Sequence, residues 1–178
     1  MSGSDFSTVE LQLRDGRSVT VRAVRADDRD KMQEALRALS AEARYSRFMS
    51  PLRELSPQML DRAVKPEADR ELQLVAVAGE GANEKIVAGA RYSGTPGGKD
   101  CEFATAVVDG WQRLGLARRL LEMLMEAAQA RGYDRMDGFI LASNAAMLNL
   151  AKRLGFVDVE SPEGPSVRLL QCKLGKGA

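Results

Sequence analysis

The alternation of apolar and polar positions along this chain changes period several times, and each change marks an element. Val9 to Arg14 and Ser18 to Val24 alternate on either side of Asp15-Gly16, which predicts a β-hairpin. Asp27 to Leu39 carries Met32, Ala35, Leu36 and Leu39 at the spacing of a helix with one buried face. Ser40 and Ser56 read as N-caps of two short helices, the second with Pro57 in its first position. Leu72 to Ala78 and Ile86 to Tyr92 read as strands joined by the polar turn Gly79 to Lys85, and Gly94 to Gly98 as a loop before a further strand, Cys101 to Val108. Leu116, Leu120, Leu124 and Ala128 then fall four apart, with Leu121 and Met125 widening the stripe and Gly132 as the stop. A strand from Arg135 to Leu141, a helix from about Asn144 to Leu154, and strands at Phe156 to Val159 and Val167 to Leu174 complete the order.

That order predicts a mixed α/β domain over residues 1–178. Its central twisted sheet has about seven strands, mostly antiparallel, with one parallel β-α-β crossover and flanking helices. The crossover holds the first chemical signal. Gln112-Arg113-Leu114-Gly115-Leu116-Ala117 lies between the strand and the long helix. The first N–H groups of a helix lack intrahelical partners and the helix dipole adds positive charge there, so a glycine-bearing loop at this point suits phosphate.

Composition narrows the options. With 44% hydrophobic and 29% charged residues, the 178-residue chain is globular in character. A net charge of +1 gives no reason to expect nucleic acid, and no apolar run is long enough to span a membrane. The segment from Met1 to Val9 lacks the features of a signal peptide, and two cysteines suit a reducing compartment, so the expected location is the cytoplasm. The chain has no histidine, which removes Ser-His-Asp and Cys-His mechanisms and His-based zinc sites. No metal is expected, and proton transfer falls to a carboxylate, tyrosine, thiol or water.

The loop Gln112 to Ala117 fits the acyl-CoA loop of the GNAT N-acetyltransferase superfamily, which this chain resembles. Leu141 to Met147, followed by Arg153-Leu154-Gly155-Phe156, is similar to the second signature of that superfamily, an asparagine opening a helix that ends in Gly-Phe. Leu13-Arg14-Asp15-Gly16 to Arg22, Leu39 to Pro51 and Glu102-Phe103-Ala104 resemble the catalytic domain of bacterial Pat-type protein lysine acetyltransferases. The resemblance implies acetyl-CoA as co-substrate and direct acetyl transfer to a primary amine, with a protein lysine as first acceptor. Two alternatives stand beside it: a small amine or amino acid as acceptor, and an acyl-CoA-binding module without catalysis. A monomer or homodimer is expected. Two departures stand out: Ser143-Asn144-Ala145 replaces a more polar Glu-Asn-Arg, and Ala151 occupies the position of the tyrosine that protonates the leaving thiolate in many GNAT enzymes.

The candidate residues follow. Glu102 sits on a strand otherwise filled with apolar residues, where burial raises a carboxyl pKa and improves it as a base. It reads either as that base or as a rim glutamate in an ion pair, and the resemblance favours the base. A backbone N–H at Val107 or Val108 would donate to the thioester oxygen. The N–H groups from Gln112 through Arg113, Leu114, Gly115, Leu116 and Ala117 to Arg118 would hold the pyrophosphate. Asn144 would contact the pantetheine arm or cap its own helix. Cys101 reads as an inert thiol on the face opposite Glu102 or as an acetyl-cysteine nucleophile. Arg44, Tyr45, Arg47 and Phe48 either wall an acceptor groove or pack inward, and Trp111 packs beside the loop. Arg118 and Arg119 either reach CoA phosphates or stay solvated.

Overall fold

The computed structural model describes residues 6–175, so part of the N-terminal segment from Met1 lies outside the described residues. Its strands are β1 (Val9–Gln12), β2 (Ser18–Ala23), β3 (Glu71–Ala78), β4 (Lys85–Gly94), β5 (Asp100–Val107), β6 (Arg135–Leu141), β7 (Val157–Val159) and β8 (Val167–Lys173). The helices are α1 (Arg29–Ala38), α2 (Ala41–Phe48), α3 (Pro57–Val64), α4 (Leu116–Ala130) and α5 (Ala145–Arg153). The strands form one sheet in the order β1-β2-β3-β4-β5-β6-β8-β7. Every pairing is antiparallel except β5 with β6, which α4 connects as the expected crossover. The sheet has eight strands rather than about seven, because the three-residue edge strand β7 pairs with β8.

Local chemistry accounts for the boundaries. Gly16 turns the β1–β2 hairpin at φ 92°. The Ser40 hydroxyl accepts from the Ala43 N–H, and that of Ser56 from the Met59 N–H, so both serines cap as predicted. The helix expected from Asp27 begins at Arg29, preceded by a 3-10 turn at Ala26–Asp28. That turn exists because Asp28 is drawn inward. Its carboxylate, fully buried, accepts from Arg22 Nη1 at 2.7 Å, Arg22 Nη2 at 2.9 Å and the Arg25 N–H at 2.7 Å.

Helices cover both faces of the sheet. Leu116, Leu120, Leu121, Leu124 and Ala128 of α4 are buried against β4 and β5, in a core with Leu72, Leu74, Tyr92, Cys101, Phe103 and Met136. On the opposite face Met32 and Ala35 of α1 pack on Val75, Val77 and Ile86. No helix among the described residues is long and apolar enough to cross a membrane.

Candidate active site

The parallel pair β5–β6 is short, and the site grows from that fact. Only Asp100, Cys101 and Glu102 pair with β6, opposite Arg135, Met136 and Asp137. Beyond Glu102 the strands part, and Phe103 to Val107 on one side and Phe139 and Ile140 on the other line a cavity of about 510 Å³. Glu102 therefore stands at the vertex of a splayed pair. Gly138, next on β6, has no side chain for a physical reason: a Cβ there would lie 2.1 Å from Phe103 Cε2. The Phe103 ring fills that space and meets Phe156 edge-on at 5.3 Å between centroids.

The register decides which backbone groups face the gap. Val108 N–H donates to Val87 O at 2.9 Å, which makes 87 and 108 a bonded pair. Bonded and non-bonded pairs alternate in an antiparallel ladder, so Val107, opposite Ala88, turns its N–H and C=O away from β4. Gln112 Nε2 reaches that Val107 carbonyl at 3.0 Å. The expectation of a donor at either Val107 or Val108 is thereby corrected. Val108 N–H is consumed by the ladder, and Val107 N–H alone points into the cleft.

The loop after β5 closes the other end of the cavity. Arg113 takes φ 63° and Gly115 φ 86°, an alternation that turns successive N–H groups to one side. The first backbone bond of α4 is Arg119 N–H to Gly115 O, which leaves the N–H groups of Leu116, Ala117 and Arg118 without a backbone partner. Gln112, Arg113, Gly115, Leu116, Ala117 and Arg118 all line the cavity. Leu114 does not; it packs against the core. Arg118 and Arg119 reach Glu122 at 3.8 and 3.7 Å on an exposed helix face. Asn144 caps α5 through its carbonyl oxygen, which accepts from the Met147 N–H at 3.2 Å, and it also lines the cavity, where its amide N–H₂ group remains available.

Glu102 departs from the expected burial. Its side chain is exposed at the point where the pairing of β5 with β6 ends. Its carboxyl is nevertheless held above the ordinary glutamate value, first by partial desolvation and then by Asp137 beside it, while Arg47 and Arg91 pull it back. Desolvation brings the Arg47 guanidinium down to about 10, with Arg91 adding repulsion and Glu102 opposing. Arg47 stacks on Phe48 at 4.6 Å and lines the cavity from α2, with Ser46 and Ala43. Phe48 and Arg47 also border a smaller apolar hollow against α1. Tyr45 does not pack inward; it is 46% exposed. Arg44 donates to Leu39 O at 3.0 Å, a local tie.

Cys101 lies on the opposite face, 2% exposed in the core. Burial, with Asp137 and Asp100, pushes its thiol up to about 12, which is the inert reading. Ala151 is fully buried, so the position of the missing tyrosine faces the core. Several residues that the sequence did not single out as site residues also border the cavity, among them Arg14 on the hairpin, Asp109 before the loop, Glu42 and Ser46 on α2, and Arg153 on α5. Asp109 Oδ1 accepts from the Ser40 N–H at 3.0 Å and ties α2 to the loop. The stretch Leu13 to Gly16 belongs to the Pat-type resemblance without assigning Arg14 a role; the β1–β2 hairpin and the contacts of Arg17 with Gly110 and Trp111 bring it here.

A parted parallel strand pair with a loop of unpaired N–H groups at its mouth leaves room for an extended ligand and donors for an anion at its end. Residues 33–156 match the family model of the Acetyltransferase (GNAT) family. This chain belongs to the GNAT acetyltransferase family. Among GNAT relatives, it is 32% identical over 165 residues to an acetyltransferase of Pseudomonas aeruginosa, covering 90% of this chain and 89% of that protein. It is 29% identical over 160 residues to acetyltransferase Pat of Mycolicibacterium smegmatis, and here it spans 47% of the relative's length. The crystal structure of the GNAT domain of S. lividans PAT superposes with a TM-score of 0.83 at 26% identity, covering 93% of this chain and 96% of that one. The structure of yncA, a putative acetyltransferase from Salmonella typhimurium with its cofactor acetyl-CoA, shares the fold at a TM-score of 0.71 and 20% identity, covering 90% and 96%.

Proposed function

We propose that this GNAT acetyltransferase moves an acetyl group from acetyl-CoA to the side-chain amine of a lysine in a folded protein, with Glu102 as general base. One observation carries the reading: Glu102 stands exposed at the vertex of the β5–β6 splay, outside the cavity lining but next in sequence to Phe103, which lines it. A lysine amine has a pKa of about 10.4 and is mostly protonated near neutral pH, so it must lose a proton before it attacks. A carboxylate raised above its ordinary value accepts that proton more readily than a free glutamate. Because Glu102 is not roofed over, a side chain presented by a protein surface reaches it. The resemblance to Pat-type lysine acetyltransferases points the same way.

The remaining residues divide the other tasks. The N–H groups of Arg113 to Arg118 hold the diphosphate of the co-substrate, and Val107 N–H donates to the thioester oxygen as charge builds on it, an interaction of roughly 3 kcal/mol for one such donor. Asn144 contacts the pantetheine arm with its amide while its oxygen caps α5. Ala151 offers no acid, so the proton for the leaving thiolate comes from solvent or another group.

A small amine that also carries a carboxylate is the second reading, and Arg47 favours it. Its guanidinium lines the cavity and has no hydrogen-bonded carboxylate among the described residues. CoA release from acetyl-CoA, with wild type and Glu102→Gln against lysine-bearing proteins and an amine panel, separates the two. Turnover with protein acceptors that is lost in Glu102→Gln supports the first reading. Turnover with amino acids alone replaces it by the second.

A further inference from the structure

The tip of the β1–β2 hairpin is clamped onto the turn that precedes the CoA loop. Arg17 Nη2 donates to Gly110 O at 2.8 Å, and its guanidinium carbon lies 3.9 Å over the centroid of the Trp111 ring. Asp15 fixes the same arginine at 2.7 Å, and the turn is closed by Leu13 N–H to Arg17 O at 2.7 Å and Gly16 N–H to Leu13 O at 3.0 Å. Two residues of the hairpin's connection are thereby immobilised against the site. What this clamp positions is Arg14. Its guanidinium lies directly over Gly115, with Nε 3.5 Å and Nη2 3.6 Å from where a Cβ of residue 115 would stand.

Arg14 is exposed and makes no hydrogen bond or ion pair with another described residue. It lines the cavity beside Arg113 and Arg118. Arg47 and Arg153 line the same concavity, so five guanidinium groups face two carboxylates there, Glu42 and Asp109, and Asp109 already accepts from the Ser40 N–H. An unpaired cation facing a set of unpaired N–H groups across a glycine is half of a binding site for a doubly charged anion.

We propose that Arg14 is a co-substrate-binding residue, and that the Arg17–Trp111 clasp positions it so that its guanidinium closes over the CoA diphosphate from the side opposite the loop. The inference rests on the reading of residues 112–118 as the diphosphate site and adds a second wall, supplied by a different part of the chain. Planar guanidinium suits two phosphoryl oxygens at once, which an ammonium does not.

The test is calorimetric titration of CoA and of dephospho-CoA, which keeps the diphosphate and lacks the 3′-phosphate, into wild type, Arg14→Ala, Arg14→Lys and Arg17→Ala. Thermal unfolding confirms that each variant remains folded. Losing a charge-assisted contact of this kind weakens binding roughly tenfold. Arg14→Ala is expected to lose that factor for both ligands, and Arg14→Lys to regain part of it. Arg17→Ala is expected to lose less, and the double variant to bind no more weakly than Arg14→Ala alone. Equal affinity of Arg14→Ala and wild type for CoA overturns the inference while leaving the proposed function intact. A loss seen with CoA and absent with dephospho-CoA overturns it too, by placing Arg14 on the 3′-phosphate. Wild type that binds neither ligand overturns the inference together with the diphosphate site on which it rests.

Discussion

Replacing Gly115 by alanine separates two reasons for a glycine in the loop before α4, conformation and the proposed access of the CoA diphosphate. The first is conformational: Gly115 sits at φ 86° and ψ 3°, where an L-residue pays roughly 1–2 kcal/mol. Part of that is returned because alanine has less freedom to lose from the unfolded chain, about 0.4–1 kcal/mol, leaving a net cost near 1 kcal/mol. For a domain of this size that corresponds to about 2–4 °C in melting temperature. There is no steric charge to add, since the new methyl would meet nothing nearer than Arg14 Nε at 3.5 Å, an ordinary contact. The second reason is access, because the methyl stands between Arg14 and the loop N–H groups, where the diphosphate lies in our reading. Gly132, at the other end of α4, is the matched control: φ is 95° and a Cβ there meets nothing within 4 Å. Thermal unfolding and CoA titration of both variants give the answer. Gly115→Ala and Gly132→Ala should lose similar stability, and only Gly115→Ala should lose CoA affinity, by tenfold or more on the order of one blocked charged contact. Equal CoA affinity in the two variants would refute the placement of the diphosphate at this loop.

Three further outcomes are expected. If Glu102 is the base, as proposed, the acid limb of kcat/KM should fall above pH 4.5, the ordinary value for glutamate, because its pKa is raised; Arg47→Ala removes a charge that lowers it, so a pH-rate profile should show the limb moving to still higher pH. Asp28→Ala leaves Arg22, 4% exposed, with Glu84 as its remaining carboxylate and should cost about 3–5 kcal/mol in urea unfolding. Burial works against the Asp28 charge, but the Arg22 bonds and the Arg25 N–H outweigh it and depress its pKa. The contribution is therefore present above the ordinary value of 3.8 and lost as pH falls through the lower folded value, and a wild-type curve losing no extra stability there relative to the variant would contradict it. Tyr92→Phe should be neutral or stabilising by up to about 1 kcal/mol in the same assay, since its hydroxyl is buried without a partner.

Much of the fold is local and so was readable in the order of residues. Period-two stripes, serine caps at Ser40 and Ser56, and glycine stops at Gly132 and Gly155 act within a few positions, and each element appears within a few residues of its expected span. The glycine loop before α4 was legible for the same reason, since a glycine at positive φ before an amphipathic helix is one continuous segment. What the sequence could not determine depends on where strands stop pairing. Glu102 reads as buried among apolar neighbours, yet it is exposed because β5 leaves β6 just beyond it. Val108 looks equivalent to Val107 until the register with Val87 commits one N–H and frees the other. Arg14 belongs to a turn about a hundred residues before the loop it faces, and the hairpin with the contacts of Arg17 to Gly110 and Trp111 brings the two together. The hydrophobic pattern sets each element's conformation because that depends on neighbours along the chain. The site depends on hydrogen-bond register and on contacts between distant segments, which exist only once the sheet has formed.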